Sequence, residues 1–340
     1  MLLEDHVDLD EYFDTDGYFP AGLPILRAAI AERLTRDGVP TVLQQIVVTN
    51  GAQHASYLAS QLLVSAGDTV LVEETTYRGE LAELRLLGAR VESVPLTAAG
   101  LALDLVDRGL RRAPVTLYCQ TSIHNPAGLT MAPSHRKALA ALLDHYGVPV
   151  VEDCCSYDLT ASGLPAPMLA GEMSDDLVLT IGTLSKLFWG GLRIGWLRAS
   201  STRIRQLIER RKAEDLASPI STQVVATNLM THVGEARRER RALFKPAGGQ
   251  HVRLLATCFR RGCGPHHKVV LVCGPILTMT PQLWLNLRNE WGFDWLRGRD
   301  IRLMTGSGQC CGFLSGMNRS RSRKHCECCV GSSPIGDDAG

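Results

Sequence analysis

The chain has 340 residues, enough for one large α/β domain or two ordinary ones. A net charge of +1 with 21% charged residues excludes a dominant acidic or basic partner, and 45% hydrophobic content is that of an ordinary globular protein. No uninterrupted apolar run approaches the roughly 20 residues of a membrane-spanning helix. The acidic start Met1-Leu2-Leu3-Glu4-Asp5-His6 lacks the basic-then-apolar form of a signal peptide, so the expected location is the cytoplasm.

From Gly22 to about Leu243 the pattern alternates between helix and strand periods. Ile25 to Leu34 reads as a helix with Leu26, Ala29, Ile30 and Leu34 on one face. Ile46-Val47-Val48 is a short strand ending in Thr49-Asn50-Gly51, and a helix follows from Gln53 to Val64. Thr69 to Val72 is a strand, Glu80 to Leu87 a helix, and Val91 to Val94 and Val115 to Cys119 are further strands. Pro133 to Tyr146 is a helix with proline in its first turn. Val148 to Val151 is a buried strand ending at Glu152-Asp153. Leu177 to Ile181 and Ile194 to Leu197 complete the strands, and Ile204 to Lys212 and Thr222 to His232 the helices. Strands separated by helices predict an α/β fold, a three-layer α/β/α arrangement around a mostly parallel sheet.

Such a sheet gathers its ligand at the carboxyl ends of its strands. Four polar loops fall at such ends: Asn50 to Gln53, Glu73 to Tyr77, Gln120 to Asn125 and Asp153 to Tyr157. A fifth carries Thr183-Leu184-Ser185-Lys186, followed by Arg193. A lysine at the end of a buried strand can lose its proton and attack an aldehyde. Two hydroxyls and a guanidinium suit a phosphate. Together they describe a site for pyridoxal 5'-phosphate; the plainer reading is a lysine capping a strand beside a glycine turn. That cofactor also needs a carboxylate at its ring nitrogen, a donor at its ring oxygen and a phosphate cradle. Asp153, ending a buried strand, fits the first need, although strand-end aspartates also occur simply exposed. Asn125, held extended before Pro126, fits the second, although Asn-Pro is by itself a turn signal. Gly51-Ala52-Gln53 opens a helix whose N–H groups fit the third, with Thr183, Ser185 and Arg193 closing it. Tyr77 is placed to stack on the ring, or to be an ordinary loop tyrosine. No metal site is expected.

These motifs, in this order, resemble the class I and II aminotransferases, the fold type I pyridoxal-phosphate enzymes, and most of all the aminotransferase-like domain of MocR-type GntR regulators. The stretches that carry the resemblance are Gly17 to Arg27, Val48 to Gln53, Val72 to Tyr77, His124 to Gly128, Val151 to Asp153 and Ser185 to Trp196. The resemblance implies that Lys186 forms the internal aldimine and shuttles the substrate proton. It implies that Asp153 pairs with the ring nitrogen, Asn125 touches the ring hydroxyl and Tyr77 stacks on the ring. Gly51, Ala52, Gln53, Thr183, Ser185 and Arg193 would hold the phosphate, and Tyr18 would reach the phosphate of the neighbouring subunit in a homodimer. The implied activity moves an amino group between an amino acid and a 2-oxo acid. A sensor domain that binds the cofactor without efficient turnover is the alternative.

Several features depart from that family. The tyrosine often found three residues after the aspartate is Ser156 here, with Tyr157 one later. The N-terminal segment, residues 1–20, is short, and no winged helix precedes residues 21–243, which read as the cofactor-binding large domain. Direct contact with nucleic acid is not expected, since Arg237-Arg238-Glu239-Arg240-Arg241 reads as a solvated helix face. Residues 244–340 read as an atypical segment in place of a small domain, and no arginine for a substrate carboxylate is evident there. Eight of the 11 cysteines fall in it, with Cys310-Cys311 and Cys326-Glu327-Cys328-Cys329 clustered and Arg319 to Lys324 rich in Arg and Ser. Zinc binding and a nucleic-acid tail are two readings; translation out of frame is preferred, since Lys268 to Gly274 shifts by one base, with suitable codons, into a family-like Gly-Gly-Leu-Gly-Leu-Trp strand.

Overall fold

The computed structural model describes residues 9–160 and 165–242. The readings placed on residues 244–340, including the cysteine clusters, the Arg/Ser run and the change of frame, lie outside the described residues.

In chain order the elements are α1 (Asp10–Phe13), α2 (Pro24–Arg36), β1 (Ile46–Thr49), α3 (Ala52–Leu63), β2 (Thr69–Glu73), α4 (Arg78–Leu86), β3 (Arg90–Val94), β4 (Leu96–Thr97) and β5 (Gly100–Leu101). There follow α5 (Leu103–Leu110), β6 (Thr116–Cys119), α6 (Pro133–Tyr146), β7 (Val150–Asp153), β8 (Val178–Thr183), β9 (Gly195–Arg198), α7 (Ser201–Glu214) and α8 (Ile220–Met230). Seven strands form one sheet in the order β1-β9-β8-β7-β6-β2-β3. Strand β9 is antiparallel to both its neighbours, and the other pairings are parallel. Two antiparallel steps leave β1 running with β8, so the carboxyl ends of β1, β2, β6, β7 and β8 share one edge of the sheet.

Strands β1, β6, β7 and β8 are short, mostly apolar runs buried on both faces, as a sheet covered by helices on each side requires. Alternation along each strand sorts the core into two layers. Ile46, Val48, Leu117, Cys119 and Val150 pack with Leu26 and Ile30 of α2, Val106 of α5 and Leu139 of α6. Val47, Tyr118, Val151 and Leu179 pack on the opposite side with Ala55 and Leu58 of α3, Leu84 of α4 and Leu207 of α7. This is the expected α/β/α arrangement.

The departures from expectation are local. Helix α5 and the β4–β5 hairpin are not signalled by the sequence, and α5 contains Gly109, which weakens the helical pattern. Gly109 is there for packing, since an added Cβ would lie 2.9 Å from a methyl of Leu71 on β2. Strand β7 begins at Val150 rather than Val148, because Pro149 offers no N–H to the ladder. Strand β8 runs on to Thr183, which makes that residue part of the sheet.

Candidate functional site

At the end of β1 the chain turns through Gly51, whose φ of +82° precedes α3. No side chain caps α3, so the N–H groups of its first turn are left for an anion. Arg193 arrives from the β8–β9 connection in a left-handed conformation, φ +50°, and its Nη2 donates to the Asn50 carbonyl at 3.0 Å. A Cβ added to Gly51 would stand 2.8 Å from that nitrogen, so a guanidinium lies directly over the turn. Gly195 lets β9 approach as closely, since a Cβ there would come within 2.7 Å of the Ala52 nitrogen.

A second layer braces this turn. The Asn50 side chain donates to Asp215 at 2.6 Å, and the buried Arg211 donates to the other oxygen of Asp215 at 2.8 Å. His54 Nδ1 accepts from the Asn50 N–H at 3.1 Å, which leaves the ring proton on Nε2. Burial is the main cause that holds the His54 ring down to about 4, so it is neutral at ordinary pH.

The sequence-predicted phosphate residues divide here. Gly51, Ala52 and Arg193 meet at the turn. The buried Thr183 hydroxyl lies 3.0 Å from the Ile194 carbonyl and accepts from the Ser185 N–H at 3.1 Å, with Ser185 Oγ 3.0 Å away. It therefore ties the Lys186 loop to the start of β9. The Gln53 side-chain amide donates to Glu83 of α4, so its backbone N–H is what it offers at the turn.

Asp153 is the last residue of β7 and is 9% exposed. It shares the α3 face of the sheet with Val151, while Glu152 points to the other face and accepts from the Leu169 N–H. Tyr118 on neighbouring β6 shares the Asp153 face, and its hydroxyl donates to Asp153 Oδ2 at 2.7 Å. The Cys155 N–H donates to Oδ1 at 2.8 Å, and the Gln120 amide approaches Oδ2 at 3.5 Å. These donors are neutral: they orient the carboxylate without cancelling its charge.

Gln120 also accepts the Asn125 N–H at 2.5 Å, which links Asn125 to the Asp153 network, and the Asn125–Pro126 peptide is cis. The loop is clamped from β2, where Glu73 accepts the Gln120 N–H at 3.0 Å and lies 3.2 Å from His124 Nε2. Burial pushes the Glu73 carboxyl up, and His124 opposes that.

Lys186 is half-buried in the turn after β8. The Cys155 thiol is pushed up by burial and by Asp153, and pulled back by the charge of Lys186, so the three lie within electrostatic reach. Tyr77, at the start of α4 and 37% exposed, is raised by burial and by Cys155, Asp153 and Glu83, and lowered by Arg193. The fold thus brings Tyr77, Asp153, Lys186 and Arg193 to one edge. Tyr18 is 57% exposed, its N–H donating to Asp16 at 3.1 Å. Tyr157 packs in the layer on the opposite side of the sheet, its ring under Arg237, so it does not replace the tyrosine missing at Ser156.

An exposed cation over an uncapped helix start, an oriented buried carboxylate and a lysine between strand ends match the phosphate, ring nitrogen and aldehyde of pyridoxal phosphate. Sequence reasoning missed Tyr118, Cys155 and the Glu73–His124 pair. The one signal for Tyr118 is a polar-tipped ring inside an apolar strand.

The family profile described as Aminotransferase class I and II matches residues 5–276. The aromatic-amino-acid aminotransferase 1 of Thermococcus litoralis is 30% identical over 64% of this chain and 52% of its own length. The HTH-type transcriptional regulator YdfD of Bacillus subtilis is 28% identical over 74% of this chain and 53% of its own. The chain spans about half the length of these curated relatives. Among solved structures, the alpha-aminoadipate aminotransferase of Thermus thermophilus, complexed with N-(5'-phosphopyridoxyl)-L-leucine, superposes with a TM-score of 0.64 at 26% identity. That match covers 71% of this chain and 62% of the other.

Proposed function

The chain belongs to the class I and II aminotransferase family, and from that premise we propose that it binds pyridoxal phosphate and moves an amino group between an amino acid and a 2-oxo acid. The observation that carries this reading is the convergence of Asp153, Lys186 and Arg193 on one edge of the sheet. When bound, the cofactor supplies an aldehyde to take up the amino group and a ring to withdraw electrons from the substrate Cα.

In this reading the N–H groups of Ala52 and Gln53 hold the phosphate with Arg193 and Ser185, the Gly51 N–H being turned back onto the Thr49 carbonyl at 2.8 Å, and Thr183 braces their loop. Asp153 keeps the ring nitrogen protonated, and Tyr118 and Gln120 keep Asp153 in place. Asn125 contacts the ring hydroxyl, and Tyr77 covers the ring. Lys186 Nζ anchors the cofactor, removes the proton from the substrate Cα and returns it. The chain acts as a homodimer in which Tyr18 reaches the partner's phosphate.

Likeness to a transcriptional regulator favours one second reading, a cofactor-binding sensor without efficient turnover. A panel of amino acids mixed with cofactor-loaded protein separates the two. Loss of the aldehyde absorbance with release of a stoichiometric 2-oxo acid is expected. Binding with no oxo acid from any donor would leave the sensor reading in its place.

A further inference from the structure

Two buried carboxylates beside the site take no part in the chemistry above. Glu80 and Glu83 lie three residues apart on α4, on the side that packs against α3, and are 2% and 8% exposed. Their donors are neutral. Ser56 and Ser60 of α3 donate to Glu80, and the Gln53 amide donates to Glu83. Glu83 Oε2 is buried and accepts no hydrogen bond, which leaves it as the place for a proton shared with Glu80. The titratable groups facing the pair from other elements are Tyr77 ahead of α4, Tyr118 on β6 and Asp153 on β7, and α3 presents Gln53, Ser56 and Ser60. None of these supplies a positive charge, and two adjacent carboxylates in such surroundings cannot both be ionised at small cost.

The pair is connected directly to the candidate site. Gln53 is the second residue of α3, the helix whose start lies under Arg193. Its Oε1 and the Tyr77 ring both crowd Gly79, where an added Cβ would stand 2.3 Å from each. Whatever moves α4 against α3 therefore moves Gln53 and Tyr77 together.

We propose that Glu80 and Glu83 share one buried proton and act as a positioning pair for Gln53 and Tyr77, so that retention of the cofactor depends on that proton. This rests on the reading that the site holds pyridoxal phosphate. Burial first, and Glu80 second, raise the Glu83 carboxyl to about 8. Because the folded value lies above the ordinary one, the contribution is full below the ordinary carboxylate range and is lost as pH rises through about 8.

The test measures the pyridoxal phosphate dissociation constant from about pH 6 to about pH 10 for the parent, Glu83→Gln and Ser60→Ala, with melting of each cofactor-free protein over the same range. Titration of Lys186 and of the cofactor itself is common to all three and cancels in ratios. Parent affinity is expected to weaken above pH 8, approaching about tenfold per pH unit relative to Glu83→Gln, which keeps the Gln53 contact without a titrating proton. Ser60→Ala removes a donor that favours ionised Glu80, so its decline should begin at higher pH. Parallel curves for parent and Glu83→Gln overturn the proposal. If Glu83→Gln does not fold, an unmoved onset in Ser60→Ala overturns it. If no cofactor attaches at Lys186, the functional reading fails separately. The pair then stands or falls on whether the cofactor-free parent, relative to Glu83→Gln, loses melting temperature as pH rises from about 6 to about 8 and levels off above that.

Discussion

At the α3 end of the site an anion meets main chain, a glycine turn and one exposed arginine, whereas at the β7 end a ligand meets a carboxylate aimed by three neutral donors inside the core. The first end stands in a high-dielectric setting and rests on helix geometry. The second is desolvated, so each of its interactions is worth more and each loss costs more. In the proposed site one cofactor would be gripped by two unlike devices, a tolerant electrostatic one and an exacting buried one.

Substitutions that strike one end at a time test that contrast. The largest effect is expected from Asp153→Asn, which keeps the shape but removes the charge opposite the ring nitrogen. Loss of one partner of a buried pair costs about 3–5 kcal/mol, so cofactor affinity should fall by roughly 100-fold or more. Titration calorimetry at low and high salt should give nearly the same loss. Arg193→Gln should be milder. It removes an exposed phosphate partner, and affinity should fall by about tenfold in dilute buffer. The gap to the parent should close as salt is raised, since exposed charges are screened and buried ones are not. Equal salt dependence for both variants would erase the distinction between the two ends.

The same contrast explains what could be read in the sequence. The fold was legible because β1, β6 and β7 are apolar runs separated by periodic helices, and because Pro133 marks the start of α6. Helix α5 was not, since Gly109 serves contact with Leu71 rather than helix propensity. Gly51, Asp153 and Lys186 could be picked out as candidates because each sits at the end of a strand. Tyr118 could not, because its partner is 35 residues away and is chosen by the register of β6 against β7. Gln53 shows the same limit, since the side chain reads as a phosphate ligand until Glu83, 30 residues on, is folded against it.

The central claim is that Lys186 carries the cofactor, and it can be tested without any substrate. The protein is mixed with pyridoxal phosphate, reduced with borohydride to fix any imine, digested, and mapped by mass spectrometry. A phosphopyridoxyl mass on the peptide containing Lys186, absent from Lys186→Ala, is the expected result. Labelling spread over other lysines, or undiminished in Lys186→Ala, would contradict it.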